Sequence, residues 1–590
     1  MKSLFHEIGP IRFELRGELE SCKAAFHSDS PEPELWILQV ELRAAAGVPL
    51  PEVTLSFPVP MRDVQVRWMP DYPACHHLLP YWWKGGWIPS SLNWNAPVIS
   101  YFNLEGENRL SYAFSDVQTQ VKLHTGPSEQ AELINVLSLP PPEKTKREWS
   151  FSLRIDRRAV HFSRALADIA RWYEEMYPPA PVPEAARLPF YSTWYQFQRD
   201  VSAGALELEL PELGRCNLRN MILDDGWNCA GPTKPGVFAH CGDWAAAPER
   251  FPDMAGHIRR FQERGIRYML WFPVPFIGAQ AERDFHRFQG KYLPPAPTVC
   301  GVLDPRFPEV RDYLVGVYEK FVRQWNLDGL KLDFIDSFSI RENDPAQAEN
   351  FAGRDLHSLP EAVDLLLADI RDRLTAIKPE IMIEFRQRYI GPGMRRYGTI
   401  FRAADCAMDL LENRVRTVDL RLLAGSTAVH SDMLIWPPHD TPETAALQIQ
   451  NVLFSVPQIS CRLRDLPESH KRMLSFWMAF CTRHRETLQL GTFRPEHPEL
   501  SYPLISAIGK EEAITAVYLS SCLVRQIPCQ KQIVINATHT EELLLKLDTP
   551  AAVTSFNVFG EQQQTCRLKS GIVTISVPPA GFLNLEPAGN

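Results

Sequence analysis

The chain has 590 residues, 45% of them hydrophobic and 23% charged, with a formal charge of −9. That is the composition of an ordinary globular protein, long enough for two to four domains and a barrel-sized core. No basic block offsets the negative charge, which argues against a nucleic-acid partner, and no uncharged run approaches the ~18 residues of a membrane span.

The N-terminal stretch carries Glu7, Arg12 and Glu14 among its apolar residues, so no signal-peptide core is expected and the location reads as cytoplasmic. The 12 Cys are scattered without a CxxC pair and read as free thiols. Cys75-His76-His77 is a weak hint of a metal; adjacent histidines rarely share one ion, so neither metal nor cofactor is expected. A homo-oligomer is compatible with the sequence.

In chain order, residues 1–160 alternate apolar and polar side chains between Pro, Gly and Asn breaks, the pattern of an N-terminal β-sandwich. Residues 161–187 combine a helical period at 162–177 with a Pro-rich connector at 178–183. From 188 to 490 strand and helix patterns alternate, which predicts a parallel sheet, and eight such units predict a (β/α)8 barrel. The predicted strands are 189–194, 220–224, 267–272, 298–303, 329–334, 381–385, 399–403 and 427–435. Residues 491–590 return to short alternating runs and predict a small antiparallel β-sandwich. The fold class is therefore multidomain, α/β with flanking all-β parts.

The chemistry concentrates at predicted strand ends, where barrels carry their active sites. Gly329-Leu330-Lys331-Leu332-Asp333 is an apolar run ending in an acid, with Lys331 on the same strand face as Asp333. Asp405 lies just past the predicted seventh strand, beside Arg402. Two carboxylates on one mouth are what glycoside hydrolysis requires, one attacking the anomeric carbon and the other exchanging a proton with the leaving oxygen and with water. Lys331 favours an ionised Asp333; Asp405 must hold a proton, and Arg402 opposes this if it points the same way. For a retaining enzyme the two carboxyls should lie about 5 Å apart. Asp409 is the rival acid. Asp224 and Asp225, followed by Gly226 and Trp227, offer hydroxyl acceptors, although an acid beside Gly is often only a turn residue. Trp194 ends the first strand as an aromatic wall, and Gly242-Asp243-Trp244 supplies a further acid and ring. His430 and Asp432 end the last predicted strand and read as structural hydrogen-bonding groups, and Trp82, Trp83, Trp87 and Trp94 as core or interface.

The order of these motifs, DDGW at 224–227, GDW at 242–244 and DGLKLDF at 328–334, resembles glycoside hydrolase family 36, the melibiase-like α-galactosidases. The resemblance implies a retaining mechanism with Asp333 as nucleophile and Asp405 as acid/base. It implies that Lys331, Asp224 and Asp225 bind ring hydroxyls, that Trp194 stacks on the sugar, and that Glu384 and Arg386 lie near the 2-hydroxyl; Trp227, Trp244 and Arg402 are likewise expected to bind substrate. Departures fall at Tyr195, at Pro273-Val274-Pro275 and at residues 384–389 and 404–409, segments that bear on the identity of the sugar. The expected activity is exo-hydrolysis of terminal α-linked galactose from small oligosaccharides. An α-N-acetylgalactosaminidase or a transglycosidase is the runner-up, and a non-catalytic carbohydrate-binding protein is the alternative from another class.

Overall fold

A computed structural model describes residues 1–70, 78–79, 86–141, 146–228, 238–340, 344 and 353–587. Cys75-His76-His77, Trp82 and Trp83 lie outside the described residues. Two six-stranded antiparallel sheets form the first unit. In the strand Ile11–Gly17 every second residue is buried, so Ile11, Phe13 and Leu15 point into the space between the sheets. There Phe57 of one sheet meets Tyr112 of the other edge-on, with ring centroids 5.4 Å apart. The helix Phe162–Met176 follows, capped by the His161 ring on the Ser163 amide, and its Phe162 stacks on Phe102 of the sandwich.

Eight parallel strands close into a barrel: β1 (Phe190–Ser192), β2 (Asn220–Leu223), β3 (Arg267–Pro273), β4 (Gly329–Asp333), β5 (Met382–Arg386), β6 (Ile400–Arg402), β7 (Ala428–Leu434) and β8 (Val456–Ile459). One predicted strand is corrected. Residues 298–303 contribute only Cys300–Val302, which pairs antiparallel with Phe276–Gly278 in a two-stranded sheet outside the barrel. The true eighth strand, Val-Pro-Gln-Ile, is too short and too polar to show an apolar run. Asp333 therefore ends the fourth strand rather than the fifth, and Asp405 follows the sixth rather than the seventh.

The two-residue period of a strand sorts the barrel into an apolar floor and a charged upper part. Phe190, Ile222, Met269, Met382, Ile400, Ala428 and Val456 form one buried cluster closed by Ala185 and Ala186; β4 contributes Gly329 at this level, where a Cβ would press on Met382 O at 2.6 Å. Two residues further along each strand stand Lys331, Glu384, Arg402, His430 and Gln458, all buried. Leu330, Leu332, Ile383 and Phe385 take the alternate positions and pack in the large core shared with the surrounding helices. The last unit has a seven-stranded and a three-stranded sheet, antiparallel apart from the pairs Glu512–Val517/Lys531–Asn536 and Leu523–Arg525/Glu542–Leu547.

Candidate functional site at the strand ends

Asp333 stands at the C-terminal end of β4 and is only 6% exposed. Its Oδ1 accepts from Arg386 Nε at 2.5 Å, from the Phe334 amide at 2.8 Å and from the Tyr389 hydroxyl at 3.3 Å. Its Oδ2 accepts from Trp271 Nε1 at 3.0 Å, and Lys331 Nζ lies 3.9 Å away. Burial opposes the charge, but Arg386, Lys331 and Arg402, with the indole N–H, outweigh it and hold the carboxyl well below the usual carboxylate range. The Arg386 guanidinium is itself fixed over the rings of Phe334 and Tyr389. Phe334 takes a left-handed backbone (φ 63°) that turns the chain sharply after Asp333. From the N-terminal sandwich, Asn93 Nδ2 donates to the carbonyls of Ile335 (2.8 Å) and Phe338 (3.0 Å) and secures the loop beyond.

The neighbouring acids are paired in order around the mouth. Lys331 Nζ donates to Asp224 Oδ2 at 2.6 Å; burial alone would lower the ammonium pKa, but Asp224 turns the shift upward and keeps Lys331 charged. Asp225 takes Arg199 Nε on one oxygen (2.6 Å) and His240 Nε2 on the other (3.1 Å). Because β2 ends at Leu223, the two adjacent acids can turn to different partners. Gly226 allows that turn: its φ is +119°, and a Cβ there would meet Arg199 Cα at 2.8 Å.

Asp405 contrasts with all of these. Its side chain is 59% exposed, on the loop after β6, where Arg402 Nη2 donates to its Oδ1 at 3.0 Å. Desolvation works against its charge, Arg402 and Lys331 work for it, and the free carboxyl sits below its ordinary value. The charge of Asp333 is felt there in the opposite sense, which places the two acids in one electrostatic field. Arg402, 1% exposed, also bonds Asp432 Oδ1 through Nη1 at 2.5 Å. Trp194 stands half-buried at the start of a short helix immediately beyond β1.

Several residues singled out from sequence occupy other places. Trp227 is fully buried, its ring packed among Trp244, Phe272, Phe321 and Trp325 in the layer between β3 and the helix Pro308–Trp325. Trp244 shares that layer, edge-on to Phe272. Both rings are structural core rather than sugar platforms, because the residue after each turn faces outward from the barrel. Asp243 is occupied by the amides of Arg283 and Asp284. Glu384 lies inside the barrel, fully buried, with Gln458 Nε2 on its Oε2 at 2.6 Å and Arg402 Nε 3.6 Å from Oε1. Burial pushes its carboxyl up to about 7, and contact with a sugar would require a side-chain rearrangement. Asp409, the rival acid, caps the helix Leu410–Ala424 by accepting from the Glu412 amide at 2.9 Å.

Trp271, Tyr389, Arg199, His240 and Gln458 belong to the same constellation without having been singled out from sequence. The strand period gave the available signal for two of them: Trp271 is two residues from the floor residue Met269 on β3, and Gln458 is two from Val456 on β8. His430 donates through Nε2 to Ala186 O (2.7 Å), so its Nδ1 accepts from Gln458 Nε2 at 3.0 Å, whose second proton goes to Glu384. Among the described residues, no group of three or more His, Cys, Asp or Glu could hold a metal ion, and no helix is long and apolar enough to cross a membrane.

No family model and no curated protein matches the sequence. Solved structures do match the fold. A variant of the GH36 alpha-galactosidase AgaA from Geobacillus stearothermophilus, in complex with 1-deoxygalactonojirimycin, aligns with a TM-score of 0.67 at 14% identity, covering 98% of this chain and 83% of the other. The alpha-galactosidase from Lactobacillus brevis gives a TM-score of 0.67 at 14% identity, covering 98% and 82%. A GH31 family sulfoquinovosidase from E. rectale gives 0.59 at 11% identity, covering 100% and 98%. From sandwich to barrel to C-terminal sheets, this chain has the fold of the GH36 alpha-galactosidases.

Proposed function

We propose that the protein is a retaining exo-glycoside hydrolase that removes terminal α-linked galactose from small oligosaccharides. The observation that carries this reading is the opposed setting of two acids on one mouth. Asp333 is buried and held on both oxygens by donors that favour its charge, whereas Asp405 is exposed and reaches out from a loop. In the first step an Asp333 oxygen bonds to the anomeric carbon as the glycosidic C–O bond breaks, and the Asp405 proton passes to the departing oxygen. A sugar seated between the acids strips water from Asp405, and that desolvation raises it toward the protonated form this step needs. In the second step Asp405 takes a proton from water, the resulting hydroxyl attacks the anomeric carbon, and Asp333 leaves as a carboxylate. Two inversions give net retention. Asp224 and Lys331 supply an acceptor and a donor for ring hydroxyls, Arg386 borders the reacting centre, and Trp194 offers its ring to the apolar sugar face. The sugar identity follows the neighbours: variants of the Geobacillus AgaA enzyme are seen with raffinose and with stachyose.

A panel of nitrophenyl α-glycosides tests the proposal. Turnover of the α-galactoside with α-galactose as first product, and its loss in Asp333→Asn, are expected. Turnover confined to the α-N-acetylgalactosaminide, or to a glycoside bearing an anionic group, would keep the chemistry and replace the sugar. Tight galactose binding without any turnover would replace the enzyme by a binding protein.

A further inference from the structure

Asp432 on β7 is fully buried, and three donors from three different elements converge on its carboxylate. The Tyr195 hydroxyl donates to Oδ2 at 2.6 Å, the Cys406 amide to Oδ2 at 2.7 Å and Arg402 Nη1 to Oδ1 at 2.5 Å. Two of these partners bracket Asp405: Cys406 is the next residue in the chain, and Arg402 holds the Asp405 carboxylate by its other terminal nitrogen. The loop carrying Asp405 is also held by the Ala404 amide on Gln387 Oε1 at 2.9 Å, by Gln448 Nε2 on the Met408 carbonyl at 3.3 Å and by the Asp409 amide on the Cys406 carbonyl at 3.0 Å. The backbone of Asp432 is secured separately. Asn413 accepts from its N–H at 3.0 Å and donates to its carbonyl at 3.2 Å, so the place of residue 432 on the strand does not depend on its carboxylate.

We infer that Asp432 is the positioning residue for Asp405, fixing both the arginine beneath that acid and the backbone amide after it. This rests on the acid/base role proposed above. All three hydrogen bonds to the Asp432 carboxylate are donated to it and favour its charge, against a burial that pushes the carboxyl above its ordinary range. The arrangement then does two things. It holds the loop so that the exposed Asp405 meets the leaving oxygen in one place, and proper placement is worth a large share of general-acid catalysis. It also divides Arg402 between two carboxylates, and the negative charge of Asp432 opposes that of Asp405. Without it, a larger share of the guanidinium charge would act on Asp405 and weaken its hold on the proton, Glu384 keeping its place 3.6 Å from Nε. Tyr195, the residue after Trp194, thereby acquires a function: it ties the end of β1 to the acid loop through Asp432.

The test is Asp432→Asn, assayed on a nitrophenyl α-galactoside and on an alkyl α-galactoside or raffinose, whose leaving groups need protonation. An amide cannot accept all three donors, so the loop should loosen. Expected is a fall in kcat/KM of about 100-fold on the poor leaving group against about threefold on the activated one. The basic limb of the pH profile should move to lower pH, because Asp405 loses its proton earlier. A purely structural role would lower both substrates by the same factor and leave the limb in place, and that result overturns the inference. Should Asp432→Asn fail to fold, Tyr195→Phe removes one donor and keeps the charge. It should show the same leaving-group dependence at about fivefold, and equal losses there overturn the inference as well. A wild-type protein inactive on every α-glycoside would overturn both this and the hydrolase reading; wild-type turnover with equal losses overturns this one alone.

Discussion

The two sides of the barrel mouth solve opposite problems with the same residue type. On the β3–β5 side Asp333 is an extension of the strand, with donors from β3, β5 and the segment after β5 on both of its oxygens. On the β6–β7 side Asp405 stands three residues beyond its strand, exposed, with Arg402 on one oxygen. A group that must remain charged profits from fixed donors in a dry place, where Coulomb interactions are strong. A group that must gain and lose a proton profits from access to water and from a field that substrate binding can change. In the proposed mechanism, environment more than residue identity assigns the two roles.

The most damaging way to break this contrast is Asp333→Asn, which should lower kcat/KM by about 10⁴-fold or more on every leaving group and abolish trapping of a covalent glycosyl-enzyme by mass spectrometry. Arg386→Met comes next. With its principal cation gone, Asp333 should titrate closer to an ordinary carboxylate; since the nucleophile must be ionised, the acidic limb of kcat/KM should move to higher pH, alongside a loss of about 10²–10³-fold. An unmoved limb would mean that Lys331 and Trp271 suffice. Asp405→Ala should cost poor leaving groups about 10²–10⁴-fold and activated aryl galactosides far less, and equal losses on both would remove Asp405 from the proton-transfer role. The smallest catalytic effect sharpens the correction made for the aromatic residues. Trp227→Ala should cost about 3–5 kcal/mol in denaturant unfolding while KM of the remaining folded enzyme stays within about twofold, whereas Trp194→Ala should raise KM and leave stability almost unchanged.

Much of the site was legible because it obeys the strand period. Lys331 and Asp333 alternate with Leu330 and Leu332, and that alone put the cation and the acid on one face. The same rule, applied from Ala428 through His430 to Asp432, would have promoted Asp432 from a structural group to part of the constellation. It was not legible that Trp227 and Trp244 turn away from the mouth, since both follow Gly-containing turns whose direction no local pattern encodes. Nor was the last barrel strand, because Pro457 and Gln458 interrupt any apolar run.

What the sequence by itself determined is the kind of structure and the identity of the chemical groups. Alternation and helical periods require sandwich and barrel, because each apolar face must be buried, and strand-end acids beside Lys and Arg define the chemistry available. What only the tertiary structure decided is which acid is dry and which is wet. Closure of the barrel brings Arg386, Trp271 and Tyr389, 62 residues away on β3 or more than 50 away beyond β4, onto one carboxylate. It brings Tyr195 and Arg402 onto Asp432 from sequence separations of 237 and 30. A proton affinity is a sum over everything within a few ångströms, and those neighbours are set by how eight strands meet, which no stretch of chain contains.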